Sequence, residues 1–406
     1  MTLRRNTILT ALVAVALSAT LAMAQGTGIS EQVAKALNVA QSGQPDDAIR
    51  TLSGLVSKSS GADKDLAETA LGSVYRISGR IRDARAKLKG PIDRSAYVPA
   101  LVELARTYLY SPPFEPKTAI IHLRNALDHN AKDVEALLEL AQAYVNDVQH
   151  KPAEHTYRSL MTSVAPSDLR AYFGLARLYV AQKRIDKAKP ILEETLKMAP
   201  RDPQPYFEMG NMVMQNTAEP EFKLKAVSWY ERAAELAPSD PKYLGALIYG
   251  YFRTGQNLAA GPVISRLEQL APNSSATHWA KGVDAEFNVD LNRAAQHYKM
   301  GAALDAQDAN AQYALGVFLC GHLNADFILA GQERDWKYLP FRDADKAVMH
   351  LKTALQLNAA FPFAARARAL IDEMESLSTD TAVETPETQE MIKRLDQYYQ
   401  KRARQF

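Results

Sequence analysis

Residues 171–188 read AYFGLARLYVAQKRIDKA, and Lys189 to Ala199 then run on to Pro200. Tyr172, Leu175, Ala176 and Tyr179 fall at i, i+3, i+4 and i+7, which is one face of a helix. Ala188, Leu192 and Thr195 stripe a second helix, and Pro200 with Arg201-Asp202-Pro203 closes it. Small side chains at Ala176 and Ala188 let the two helices approach, while larger neighbours fill the remaining gap. The stretch reads as a helical hairpin.

The hairpin recurs. Ala188 belongs to the series Ala48, Ala84, Ala119, Ala153, Ala188, Ala226, Ala260, Ala294 and Ala347, with steps of 36, 35, 34, 35, 38, 34, 34 and 53 residues. A second series keeps nearly the same rhythm ahead of it: Val39, Tyr75, Tyr108, Tyr144, Tyr179, Val213, Tyr251, Ala285 and Leu319. A period of about 34 residues predicts stacked helical hairpins, each burying its apolar face against its neighbours. Such a stack presents a surface for holding other molecules more readily than a pocket for chemistry.

The units resemble the tetratricopeptide repeat. That family sets an aromatic residue, Leu-Gly and Tyr on the first helix, and Ala, an aromatic residue, Ala and Pro on the second. Leu71-Gly72 with Tyr75, Leu104-Ala105 with Tyr108 and Leu140-Ala141 with Tyr144 match. So do Met209-Gly210 with Tyr230, Ala233 and Pro238, and Tyr251 with Gly255, Ala260 and Pro272. Gly282 with Ala294 and Tyr298, and Leu315-Gly316 with Ala347 and Ala354, complete the set. The resemblance covers about residues 29–360. It implies an all-α, right-handed α-solenoid of about nine hairpins with a C-terminal capping helix.

Departures from the pattern are informative. Pro91 and then Pro99 are expected to break the end of the second unit's second helix. Ser111-Pro112-Pro113-Phe114-Glu115-Pro116 lengthens the third unit's turn, and Thr217 to Phe222 adds residues to the sixth. The ninth unit carries the largest insertion, at 320–343. Phe363 to Leu377 then reads as a helix with Ala367, Leu370, Ile371 and Met374 on one face, suited to closing the stack.

The ends fall outside this solenoid, which spans 25–377. Arg4 and Arg5, the apolar run Ile8 to Leu21 and the small-x-small triplet Ala22-Met23-Ala24 form a signal peptide over 1–24, with cleavage after Ala24. Export to the periplasm is therefore expected, with secretion beyond it a further outcome, and the mature form is not expected to span a membrane. Residues 378–386 (STDTAVETP) have linker composition. Residues 387–406 carry Met391, Ile392, Leu395, Tyr398 and Tyr399 on one face of an amphipathic helix.

Charge narrows the function classes. Without Arg4 and Arg5 the chain holds 46 Lys+Arg against 46 Asp+Glu. That balance argues against a nucleic-acid partner. Cys320 is the only cysteine, so no intramolecular disulfide forms. Cys320, His322 and Asp326 could make a nucleophile or metal site, but no second ligand cluster supports one and a structural loop is the better reading. No phosphate-cradling glycine loop and no Gly-x-Ser-x-Gly elbow occur. The chain is accordingly read as non-enzymatic, with no catalytic residue, cofactor or metal.

First helices of the resembling family line the concave side. Inward positions here are Phe173, Arg177, Phe207, Asn211, Met214, Tyr249, Phe252, Arg253, Trp279, Glu286, Phe287 and Tyr313. Earlier units offer a less aromatic set: Thr69, Ser73, Arg76, Val102, Arg106, Leu109 and Tyr110. Rings with Arg and Met suit a groove for protein partners, as an extended peptide or a helix, and ring faces also suit a polysaccharide chain. The Lys-plus-Asn set with which some members grip a C-terminal carboxylate is absent from the matching positions Phe173, Arg177, Phe207 and Asn211. By resemblance, exported members assist envelope, secretion or exopolysaccharide assembly.

Overall fold

A computed structural model of the chain describes residues 28–41, 44–216, 220–288, 290–306, 308–321, 343–357 and 364–377. The signal peptide expected at 1–24, insertion residues 322–342, the linker at 378–386 and the amphipathic segment at 387–406 lie outside the described residues.

Among the described residues there are nineteen helices and no strand. The first hairpin pairs α1 (Gly28–Gln41) with α2 (Pro45–Lys58), and the second pairs α3 (Gly61–Ile77) with α4 (Ile81–Ser95). Then come α5 (Val98–Leu109) with α6 (Pro116–His129), and α7 (Val134–Asn146) with α8 (His150–Ser159), which ends in a π-helical turn over Leu160–Val164. The fifth and sixth hairpins are α9 (Leu169–Ala181) with α10 (Ile185–Met198), and α11 (Pro203–Asn216) with α12 (Pro220–Leu236). The last three are α13 (Pro241–Arg253) with α14 (Asn257–Leu270), α15 (Ser275–Phe287) with α16 (Leu291–Leu304), and α17 (Ala309–Leu319) with α18 (Ala344–Leu357). A final helix, α19 (Ala364–Leu377), packs on α18 and touches α17. Its expected face, Ala367, Leu370, Ile371 and Met374, is buried.

Local chemistry sets the helix boundaries. Asp133, Asp168, Asp240, Ser274 and Asp308 each accept a backbone N–H of the first turn they precede, satisfying donors the helix cannot. Within hairpins the turn passes through a left-handed residue: Gly79 (φ 75°), Val148 (φ 60°), Lys183 (φ 61°) or Gly255 (φ 73°).

Packing explains the sequence period. All nine alanines of the series are fully buried. Each sits where the second helix crosses the first, and a larger side chain there would hold the pair apart. Glycines of the Leu-Gly positions serve the same approach from the other side. A Cβ built on Gly210 would lie 2.5 Å from the Tyr230 ring, and one on Gly282 2.5 Å from Tyr298.

Every first helix packs on the first helix of the next hairpin, whereas second helices pack on their own partner and the next first helix. The odd-numbered helices therefore form a continuous inner row and the even-numbered ones an outer row. This is the expected α-solenoid.

One expectation is overturned. Pro91 does not end α4, which runs through it to Ser95. A proline removes one N–H and crowds one carbonyl. Here the following turn is held from outside, with Arg94 Nη2 donating to Asp65 Oδ1 at 2.6 Å and Ser95 Oγ to Asp65 Oδ2 at 2.6 Å. The helix stops one residue later at left-handed Ala96, whose N–H donates to the Ile92 carbonyl. Pro99 falls in the first turn of α5, where no N–H is needed.

Candidate functional site

The inner row changes character along its length. From α3 to α9 it carries a ladder of ion pairs. Arg76 on α3 donates to Glu103 on α5 at 2.5 Å. Arg106, on the same helix as Glu103, donates to Glu139 at 2.7 Å and to Glu135 at 3.0 Å, both on α7. Arg170 on α9 closes on Glu135 from the other side at 2.6 Å. Tyr110 donates its hydroxyl to Glu139 at 2.7 Å.

Arg76, Glu103 and Arg106 are buried, so their charges depend on one another. Burial opposes the Arg106 charge, but Glu139, Glu103 and Glu135 outweigh it and raise its pKa. Burial and then the Glu139 carboxylate push the Tyr110 hydroxyl up.

Further along, the ladder thins. Arg177 on α9 pairs through Nε with both oxygens of Glu208 on α11 at 3.1 Å. Glu208 is 4% exposed while Arg177 is 49% exposed, so the pair offers its cation to the groove. Gln204 on α11 donates to Glu208, and its amide oxygen accepts from Lys242 on α13. Lys242 has no carboxylate in ion-pair range among the described residues. Its ammonium lies 4.7 Å from the Phe207 ring centroid and 4.8 Å from that of Tyr243. Burial lowers its pKa from 10.5 to about 8, Arg177 adding to the effect and Glu208 opposing it.

Rings take over from α11 onward. Phe207 meets Tyr243 edge-on with centroids 5.8 Å apart and leans on Tyr230 at 6.3 Å. Tyr249 on α13 faces Trp279 on α15 at 6.2 Å, with Arg253 over the Tyr249 ring at 6.0 Å. Phe207, Tyr249, Arg253 and Trp279 are all partly exposed.

The structure sorts the expected groove residues. Arg177, Phe207, Asn211, Tyr249, Arg253 and Trp279 keep surface. Asn211 is tied down, accepting the Tyr230 hydroxyl at 2.9 Å. Phe173, Met214, Phe252, Glu286 and Tyr313 are buried and offer no face to a partner. Their placement in the groove is corrected: Met214, Phe252 and Tyr313 are packed in the C-terminal apolar cluster and Phe173 in the middle one, so neighbouring side chains cover them. The Phe287 side chain lies outside what is described, as do His322 and Asp326. Cys320 is buried at the end of α17. Among the described residues no three His, Cys, Asp or Glu side chains form a metal-binding group. No helix there is long and apolar enough to cross a membrane.

Of the ladder, sequence reasoning named Arg76, Arg106 and Tyr110 as inward but missed their carboxylates. A signal existed: Glu103, Glu139 and Glu208 follow Arg76, Arg106 and Arg177 by 27, 33 and 31 residues, roughly one repeat.

A family model described as a tetratricopeptide repeat matches residues 158–206, from the last residues of α8 in the fourth hairpin to the start of the sixth. That segment of the chain is therefore similar to the tetratricopeptide repeat. No curated protein matches it. Among solved structures, a tetratricopeptide repeat protein from Parabacteroides merdae is 18% identical over 71% of this chain and 98% of its own, with a TM-score of 0.41. Pseudomonas aeruginosa pilF is 18% identical over 56% and 97%, with a TM-score of 0.40. Yeast Tom70 is 11% identical over 87% and 66%, with a TM-score of 0.46. At these values the likenesses carry no statement about partners. The tetratricopeptide match itself covers the hairpin whose sequence decided the fold.

Proposed function

We propose that this tetratricopeptide solenoid is a non-enzymatic scaffold that holds protein partners against its inner row. The observation that carries the reading is the line Phe207, Tyr249 and Trp279, three partly exposed rings on successive first helices. Exposed rings on a rigid concave wall cost little conformational entropy to dock against and release much ordered water. An extended segment or a single helix fits an inner row built this way. The finer reading is a periplasmic protein, cleaved after Ala24, that assists assembly of an envelope or secretion complex. The basic, apolar and small-residue pattern of residues 1–24 supports export.

The test is in-cell photocrosslinking in the source organism. A photoreactive residue at Trp279 is expected to capture one defined protein, while one at exposed Met349 on outer helix α18 captures none. Replacing Phe207, Tyr249 and Trp279 by alanine is expected to abolish capture through a third inner-row position with helicity unchanged. Capture confined to the outer face overturns the groove. Retardation in gels cast with an exported glucan, without protein adducts, would favour a polymer ligand instead. Osmotic-shock release of a form beginning at Gln25 tests export.

A further inference from the structure

The eighth hairpin holds a histidine pair that the groove does not use. His278 on α15 meets His297 on α16, Nδ1 to Nδ1 at 3.0 Å, with ring centroids 5.3 Å apart and planes tilted 36°. His278 is 5% exposed, and its Nε2 has no hydrogen-bond partner among the described residues. The α16 backbone presses close, since a Cβ on Gly301 would lie 3.5 Å from His278 Cβ.

Two ring nitrogens at this distance share one proton, one ring donating and the other accepting. Any further proton is badly placed. On His278 it leaves a charged ring with a buried, unpartnered N–H. With both rings charged, two N–H donors point at each other inside the hairpin.

The surroundings add to the cost. Lys281 lies one turn along α15 and Arg293 one turn back along α16, and both oppose charge on the pair. Among the described residues the one carboxylate acting on them, Glu268 of α14, is held by Lys281 Nζ at 2.6 Å. At the start of α17, Asp308 is engaged by Ser275 Oγ at 2.6 Å. No charged group of α13 acts on either ring. Lys281 and Arg293 equally disfavour a metal ion, and no third ligand joins the pair among the described residues. The proton is therefore the species this site responds to.

We propose that His278 and His297 form an acid-operated latch, shut while the rings share one proton and forced open when both are charged. Burial first, then His278, Lys281 and Arg293, push the His297 pKa down to about 4, and burial then Lys281 lower that of His278. The unfolded chain therefore takes up protons before the folded one. The stabilisation is complete above about pH 6.5 and drains as pH falls towards about 4. Trp279 follows His278 on α15, so opening the hairpin moves its ring away from Tyr249. That consequence rests on the groove reading, whereas the latch does not.

Hydrogen exchange on the full-length protein, corrected for intrinsic rates, tests the latch between pH 7.5 and 4.5. Amides of α15 and α16 are expected to lose about tenfold more protection than those of α9 and α10. The His297→Gln variant, whose neutral amide keeps one hydrogen bond, is expected to lose clearly less than the wild type does, since only buried His278 still takes up a proton. His278→Gln serves if that variant does not fold. Equal loss in both hairpins of the wild type, or undiminished loss in the glutamine variant, overturns the latch. No partner enters the measurement, so failure of the groove reading leaves its outcome intact.

Discussion

Arg106 Nε on α5 donates to Glu139 Oε1 on α7 at 2.7 Å, joining the third and fourth hairpins through a buried pair. Arg106 also serves Glu103 and Glu135. Glu103 keeps Arg76 without it, and Glu135 keeps Arg170. Glu139 keeps only the Tyr110 hydroxyl among these contacts. Arg106→Met is therefore expected to cost about 3–5 kcal/mol, much of it from the carboxylate left behind. Adding Glu139→Gln should recover about 1–2 kcal/mol of that loss. Urea unfolding of the single and double variants decides it. Additive losses would mean that the pair is not coupled.

Glycine substitutions should split by what their Cβ meets. Gly210→Ala places a methyl group 2.5 Å from the Tyr230 ring and is expected to destabilise by about 1–3 kcal/mol. Gly54→Ala, inside α2, meets open space and is expected to stabilise by about 0.5–1 kcal/mol. Thermal unfolding midpoints of the two variants give the sign of each.

The buried alanines were readable in the sequence because each fixes a helix crossing that tolerates nothing larger, and that demand repeats in every hairpin. The inner wall was not. Phe173, Phe207, Trp279 and Tyr313 each occupy the fifth position of a first helix. Yet Phe173 and Tyr313 are buried while Phe207 and Trp279 keep surface. The same register gives different exposure because the neighbouring side chains, not the helix period, decide what covers a ring. Pro91 shows the same limit: its tolerance inside α4 depends on Asp65, a full helix away in sequence.

Val148 takes φ 60° in the turn between α7 and α8 and is 70% exposed. A β-branched residue pays a steric cost there, and exposure returns little packing. Val148→Gly is expected to stabilise the chain by about 1 kcal/mol, less the entropy that glycine gains on unfolding. Chemical denaturation measures it. A loss of stability would mean that the side chain makes a contact outweighing its backbone strain.

Lys242 gives a pH signature. Its folded pKa of about 8 lies below the unfolded value, so the folded chain binds fewer protons between about pH 8 and 10.4. Wild-type stability should carry a component that rises with pH across that window. Lys242→Met should remove this component and, by sparing a buried charge, gain about 1–2 kcal/mol at pH 7. Urea midpoints at pH 7 and pH 9.5 check both parts.

Phe252 and Trp279 were read from the sequence as members of one groove, and burial now separates them. Phe252 is among the most buried side chains, packed in the C-terminal apolar cluster. Phe252→Ala is expected to cost about 3–5 kcal/mol, the transfer of a full ring plus the cavity it leaves. Trp279 packs against the same cluster but stays partly exposed. Its alanine variant is expected to cost about 1–2 kcal/mol, in proportion to the area that it hides. The comparison is a urea titration of both variants against wild type. A Trp279 variant as damaged as the Phe252 variant would mark that ring as core, and the inner row would then lose the residue on which capture is proposed to depend.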